Sequence, residues 1–240
     1  MGDLQGDAAG HPLARVPRAW WFPGLPGYRP DGERETYVRH GLDEQPGVPV
    51  REDLGWLEDE AEKAEWGIAG GDTPPERALT PGGLEAVAAG LPVPPSLRLL
   101  AERPELQRRI RSATACYLDL GHFAAATDID DGRLIHVLSD QQRVRRWLLY
   151  LDEAGGEAVL TSAEPVGFDL PADWPSPPSV LPVASGQADL EVCADSLAEF
   201  LYRFWIENEI YFAVGEGRAL SPAAARYAAG LLRAAGAQRQ

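Results

Sequence analysis

Apolar residues near the end of the chain recur at intervals of three and four, which is the period of a helix with one buried face. They are Leu197, Phe200, Leu201, Phe204 and Trp205. Ser196 precedes them and Glu199 follows three residues later, which is the spacing of a capping box. The pattern therefore predicts a helix that begins near Ser196 and buries its aromatic face, with Glu199 and Arg203 paired on the opposite face.

Short apolar runs in the middle of the chain predict β-strands. They are CYLDLGHFAAAT, RLIHVLSD, RRWLLYLD and EAVLTS. The connections between them are too short for a helical crossover, so we predict an antiparallel meander. Side chains alternate along a strand, so Leu134, His136 and Leu138 should share one face while Ile135 and Val137 point to the other. Both faces of that strand are apolar, which indicates a central strand.

Shorter helices are predicted on either side of these strands. They cover 53–66, 80–89, a segment capped by Ser96 that ends before Pro104, a turn or two within 105–111, and a terminal helix after Ser221-Pro222. The fold class predicted is α+β, with a mainly antiparallel curved sheet packed against helices.

The first fifty residues are rich in proline and glycine, which predicts an irregular arm without a helical or strand period. Trp20, Trp21 and Phe22 lie within it. Large aromatic side chains gain free energy on burial, so we expect the arm to wrap onto the rest of the protein. The alternative is that these three rings anchor a partner protein. A second proline-rich segment covers residues 164–191.

The charge balance restricts the partners that the protein can bind. The chain has 37 acidic and 22 basic residues, a net charge of −15. Such a surface repels nucleic acid and anionic membranes, and it attracts basic proteins, although net charge also serves solubility. No apolar run is long enough for a membrane span, and the N-terminus lacks the apolar core of a signal peptide. We expect a soluble, cytoplasmic protein.

Few residues are arranged for chemistry. Cys116 and Cys193 have no second thiol or histidine at metal-binding spacing, so we expect free thiols and no metal or other cofactor. Asp128, Asp130 and Asp131 resemble the start of a calcium loop, but the glutamate that completes such a loop is missing, which favours a hairpin turn.

Four polar residues near the predicted strands are candidates for catalysis or for contact with a partner. His122 and His136 lack a neighbouring nucleophile motif, and no phosphate loop or nucleophile elbow occurs in the chain. Asp140 and Gln141 follow a strand, where they either form a turn or contact a partner. We therefore expect no catalytic activity; an enzyme would have to use His122, His136 or Asp140.

Four pieces of the chain resemble the SUKH superfamily, which includes many bacterial toxin-immunity proteins of the SMI/KNR-like type. They are LPVPPSLRLL, CYLDLGHFAA, GRLIHVLSDQQRVRRWLLYLDEAGGEAVLTS and CADSLAEFLYRFWIENEIYF. The resemblance covers about residues 78–214, with a Pro/Gly-rich arm and short helix at 1–77 and a helical tail at 215–240. The arm and the 164–191 segment depart from the family pattern.

The resemblance implies an α+β domain that binds a partner protein without catalysis. Its acidic surface would then suit a basic toxin domain. Two other hypotheses remain open at this point, a regulatory or scaffold protein that binds another cytoplasmic partner, and an enzyme of unfamiliar type.

Overall fold

The computed structural model confirms an α+β fold in which an open antiparallel sheet packs against helices. It describes residues 12–28, 36–61, 63–65, 67–69, 78–88, 90–120, 123–125, 132–142, 144–163 and 190–237. Three sequence predictions lie outside these residues: the turn at 128–131, the position of His122, and the proline-rich segment up to residue 189.

In the part of the chain that the structure describes, the main sheet has six strands, and every strand pair in it is antiparallel. They are β3 (Tyr117–Leu118), β4 (Phe123–Ala125), β5 (Arg133–Ser139), β6 (Arg146–Leu151), β7 (Glu157–Ser162) and β8 (Glu191–Ala194). The order is β3-β5-β6-β7-β8, with β4 also paired to β5. The predicted meander and the central place of β5 are therefore confirmed.

A register shift in β5 changes which side chains share a face. The shift lies between His136 and Leu138, so Leu138 stands opposite Trp147. Leu138 and Trp147 both belong to the main core, whereas Leu134 belongs to a smaller core on the other side of the sheet. The prediction that Leu138 shares a face with Leu134 and His136 is wrong, because a bulge breaks the two-residue alternation.

Six α-helices occur in the described part of the chain. They are α1 (Trp56–Asp59), α2 (Pro81–Ala88), α3 (Pro95–Glu102), α4 (Pro104–Gln107), α5 (Leu197–Gly215) and α6 (Pro222–Ala237). The cap of α3 is Pro94, so the prediction that Ser96 caps it is wrong; Ser96 lies inside the helix and is fully buried. The predicted boundary at Pro104 is confirmed, because Pro104 begins α4.

The helix predicted over 53–66 is a single turn. Arg109 Nη1 donates hydrogen bonds to the carbonyl oxygens of Leu57, at 2.8 Å, and Ala61, at 3.0 Å. The amide of Ala64 in turn donates to the carbonyl of Arg108 at 2.9 Å. Tertiary partners thus replace the i to i+4 bonds that would extend α1, and local sequence does not reveal them.

Helix α5 begins as the capping pattern predicts. The Ser196 hydroxyl accepts a hydrogen bond from the Glu199 amide at 3.1 Å, and the Glu199 carboxylate accepts one from the Asp195 amide at 3.0 Å. The return bond thus reaches one residue further back than in the standard motif. Arg203 binds Glu199 at 3.0 Å as predicted, but it is only 3% exposed. Both faces of α5 are therefore buried.

The N-terminal segment covers the second face of α5. Its strands β1 (Ala19–Phe22) and β2 (Val38–Gly41) form an antiparallel ribbon, where an irregular arm was predicted. The Val192 amide donates to the carbonyl of Pro17 at 2.8 Å, which joins this ribbon to β8. The Trp20 ring centre lies 5.4 Å from the Arg203 guanidinium carbon and 5.9 Å from the Phe200 ring. The arm thus wraps onto the body, as expected.

One hydrophobic core spans the three segments that the sequence suggested. It takes Trp20 and Trp56 from residues 1–77, Trp147 from residues 78–214, and Tyr227 from residues 215–240. A smaller core lies across the sheet. It contains Leu13, Leu134, Leu148, Tyr150, Ala158, Leu160 and Val192. The arm and the tail therefore belong to the same folded body as the middle of the chain.

Candidate functional site

The three aromatic residues suggested as a docking group lie mostly inside the protein. Trp20 is fully buried and Phe22 is 1% exposed. Trp21 is half-buried, with the Arg145 guanidinium 3.6 Å from its ring centre and its indole N–H donated to Glu191. In this conformation, no ring of the three is free to anchor a partner.

Asp140 and Gln141, the other suggested contacts, form a turn after β5. The Asp140 carboxylate accepts hydrogen bonds from the Tyr37 hydroxyl and the Gln142 amide, both at 2.8 Å, and it is 2% exposed. Gln141 is exposed beside it. The structure therefore gives Asp140 a structural role and does not gather the five suggested residues on one surface.

The groups considered for catalysis are engaged in separate contacts. His136 Nε2 lies 2.8 Å from the Ser139 hydroxyl oxygen, and both residues are 1% exposed. The Asp140 carboxylate, one residue further on, is bound by Tyr37 and by its own turn. The sequence did not single out the His136–Ser139 pair, because only the bulge in β5 brings residues three apart together.

The two cysteines are buried free thiols, as expected. Burial raises the pKa of Cys116 to about 11. Such a thiol carries little thiolate near neutral pH and is a poor nucleophile. Among the described residues, no group of three or more His, Cys, Asp or Glu side chains is placed to hold a metal ion.

A cleft lies between α2 and α3 and combines apolar walls with charged residues. Its volume is about 330 Å³. Its walls and rim, called the acidic cleft below, are formed by Pro81, Leu84, Glu85, Ala88, Gly90, Leu91, Val93, Arg98, Ala101 and Glu102. Leucine, valine and alanine provide the walls, and charged side chains stand at the rim.

Local sequence signals shape this cleft. The Thr80 hydroxyl accepts a hydrogen bond from the Gly83 amide at 3.1 Å at the start of α2. Gly90, with φ +89°, turns the chain after α2, in a conformation that favours glycine. The prolines of the following LPVPP run keep the connector extended, and Pro95 then begins α3. The two helices are thereby held side by side over the cleft.

The rim of the cleft has an excess of negative charge. Glu85 and Glu102 are exposed, and neither makes an ion pair within the described part of the chain; Arg98 is the rim's cation. Arg103, next to Glu102, binds Glu58 at 2.6 Å and so ties α1 to the end of α3. Further unpaired carboxylates, Asp59 and Glu60, follow Glu58 on the surface.

This arrangement suits the long side chain of a lysine or arginine from another protein. The methylene stem of such a residue can pack on the apolar walls while its charged end reaches the carboxylates of Glu85 and Glu102. Neither glutamate was predicted from the sequence as a binding residue. The pattern that could have indicated them is one acidic residue on the polar face of each of the two helices that flank LPVPP.

A different pair of acids lies where α3 and α5 begin. Glu52 accepts a hydrogen bond from the Ser96 amide at 3.4 Å, and Glu157 accepts one from the Leu197 amide at 3.3 Å. Burial, together with the nearby negative charge of Glu52, raises the pKa of Glu157 from its usual 4.5 to about 7. Ionised Glu157 is therefore destabilising near neutral pH.

We expect the substitution Glu157→Gln to stabilise the protein only at higher pH. The raised pKa of Glu157 means that its contribution to stability is complete below about pH 4.5 and is lost as the pH rises through about 7. The free energy of unfolding of Glu157→Gln should gain about 1 to 2 kcal/mol over wild type across this range, after allowance for solvent screening. Urea titrations at several pH values measure this difference.

The matched control is Glu153→Gln in the turn between β6 and β7, where the side chain is exposed. It should show no pH-dependent difference from wild type. A Glu157→Gln difference that stays constant with pH would show that Glu157 has an ordinary pKa in the folded protein.

The chain was compared with models of protein families, with curated proteins and with solved structures, and none of them matched it. In the part of the chain that the structure describes, no helix has both the length and the apolar composition that a membrane crossing requires.

Proposed function

We propose that this chain is a non-catalytic protein-binding domain whose partner is a basic polypeptide, as for an immunity protein that neutralises a bacterial toxin domain. The observation that carries the proposal is the acidic cleft, where two exposed, unpaired carboxylates stand at the rim of an apolar groove. An apolar centre with a charged rim is the usual composition of a protein interface.

The SUKH resemblance supports the same proposal. The LPVPP run that carries part of it supplies Leu91 and Val93 to the walls of the cleft. The β5–β6–β7 meander and helix α5 correspond to the other pieces of the resemblance. Many toxin domains of this kind are nucleases with basic substrate grooves, which an acidic inhibitor can cover.

The charge of the chain supports a basic partner on kinetic grounds as well. A net charge of −15 speeds encounters with a cationic surface, and the effect weakens as salt screens it. The apolar walls would then contribute affinity that salt does not remove. The proposal therefore predicts a complex whose association slows as salt rises.

Neutralising the rim should weaken that complex. For the double variant Glu85→Gln/Glu102→Gln we expect about tenfold weaker binding, because two partly desolvated carboxylates contribute roughly 0.7 kcal/mol each. The purified protein is used to capture partners from extracts of the organism that encodes it, at low and high salt, with mass spectrometry of what is retained. The retained polypeptide is then purified and titrated.

The matched control is Glu65→Gln/Glu153→Gln, which removes the same charge from exposed positions that do not line the cleft. It should bind as wild type does, and co-expression of wild-type protein should relieve growth inhibition by the partner. A neutral or acidic partner retained at both salt concentrations would instead favour a regulatory scaffold. If both double variants weakened binding equally, the net charge of the chain and not the acidic cleft would determine the affinity for the partner.

A further inference from the structure

A second groove lies between α6 and the segment that follows β2. Its volume is about 520 Å³. It is lined by Glu44, Gln45, Pro46, Gly47, Pro49, Tyr202, Ala223, Arg226, Tyr227, Gly230, Arg233 and Ala234. In contrast to the acidic cleft, its exposed charges are mainly guanidinium groups. We call it the arginine groove.

Arg226 and Arg233 are exposed, and neither makes an ion pair or a hydrogen bond with the described residues. They remain unpaired among these residues although acidic residues outnumber basic ones in the chain by 37 to 22. Glu44 also lines the groove, but its carboxyl carbon lies against Gly41, 2.8 Å from where a Cβ of residue 41 would stand. Its carboxylate pairs with neither arginine.

Gly230 packs closely on Pro46 at a position between the two arginines of α6. A Cβ on Gly230 would stand 2.8 Å from Pro46 Cγ and 3.8 Å from Arg233 Nη2. Arg233 therefore reaches back along α6 to the level of Gly230. Arg226 and Arg233 are seven residues apart on α6, which is about two turns and roughly 10.5 Å along the helix axis, so the two residues share one face of the helix.

From this geometry we infer that the arginine groove binds an extended, acidic peptide segment of another protein. Side chains two residues apart in an extended chain point the same way at intervals of roughly 6.6 Å, so a segment with alternating acidic residues presents carboxylates along the whole distance between the two arginines. Arginine binds carboxylates through paired N–H groups. The walls of proline and tyrosine offer flat surfaces for a peptide backbone, and the volume exceeds what one small anion fills.

This inference does not rest on the proposed function, since the acidic cleft attracts cations and the arginine groove attracts anions. The two surfaces share no lining residue. Loss of binding at one of them would therefore leave the other unchanged, and the two proposals can fail separately.

The test uses a fluorescein-labelled peptide that alternates Glu and Thr, because β-branched threonine favours the extended conformation. Peptides that alternate Gln or Lys with Thr serve as comparisons. Fluorescence anisotropy with the full chain at low salt should show binding of the Glu–Thr peptide alone. The double variant Arg226→Gln/Arg233→Gln should bind the Glu–Thr peptide at least about tenfold more weakly, because hydrogen bonds to charged groups are lost. The affinity of each single variant should lie between those of wild type and the double variant.

The control is Arg108→Gln, which removes an exposed arginine at the end of α4 that makes no side-chain bond in the described structure. It should bind the Glu–Thr peptide as wild type does, and circular dichroism should show all variants folded. Equal binding of the Gln–Thr peptide, or unchanged binding by the double variant, would overturn the inference. So would binding of inorganic phosphate that depends on Arg226 and Arg233 while the peptide fails to bind.

Discussion

Replacement of Trp20 by alanine is expected to lower the free energy of unfolding by about 4 kcal/mol, as for other large buried aromatic residues. The indole is fully buried, its ring lies 6.4 Å from that of Phe22 and 5.9 Å from that of Phe200, and its N–H donates to Glu207 at 2.8 Å. Truncation leaves a cavity and an unsatisfied acceptor together. Urea titration followed by circular dichroism measures the loss.

The neighbouring Trp21 is the matched control, because it lies in the same strand and is half-buried. Trp21→Ala should cost only about 1 to 2 kcal/mol, mostly from the contact with Arg145 and the bond to Glu191. Equal urea midpoints for wild type and Trp20→Ala would show that Trp20 does not lie in the core. A large loss of stability in Trp20→Ala would also mean that deletion of the N-terminal arm unfolds the protein. Loss of binding after such a deletion would then not identify the arm as a docking site.

Replacement of Glu207 by leucine is expected to cost about 3 to 5 kcal/mol, because two buried donors are left without an acceptor at roughly 1 to 3 kcal/mol each. Glu207 is fully buried in α5, and its carboxylate accepts hydrogen bonds from Trp20 at 2.8 Å and from the Tyr227 hydroxyl at 2.6 Å. Leucine fills a similar space but leaves both donors without this acceptor. Thermal and urea unfolding measure the effect.

Glu207→Gln separates charge from hydrogen bonding, because the amide oxygen can still accept one bond. Its cost should be roughly half that of Glu207→Leu. In a double-mutant cycle with Trp20→Phe, which removes the indole N–H, the two effects should be non-additive by about 1 to 2 kcal/mol. Strict additivity would mean that the Trp20–Glu207 bond contributes nothing to stability.

Local signals predicted the elements that depend on neighbours in sequence. The Ser196–Glu199 cap of α5, the antiparallel order of β5 to β7, and the break at Pro104 follow from caps, short connections and proline geometry. The errors arise where distant residues decide the outcome. Arg109 shortens α1 because its guanidinium binds carbonyl oxygens that would otherwise accept helical hydrogen bonds. The bulge in β5 moves Leu138 to the other face of the sheet.

The same distinction applies to the candidate site. Trp20 and Phe22 read as a docking group because proline and glycine surround them, but their burial depends on α5, far along the chain. Glu85 and Glu102 lie on ordinary amphipathic helices, and only the packing of α2 against α3 places them on one rim. The net charge of −15 and the SUKH resemblance together suggest a basic partner, but neither identifies the face that would meet it.

The bond between Trp20 and Glu207 joins residues 187 positions apart. During synthesis, the aromatic N-terminal segment therefore leaves the ribosome long before the helices that enclose it. Native contacts of such long range form late, and exposed apolar segments of unfinished chains favour aggregation. Chains that stop short of α6 should consequently be recovered as insoluble or degraded fragments, and chaperones that hold nascent polypeptides should improve the yield of the complete protein.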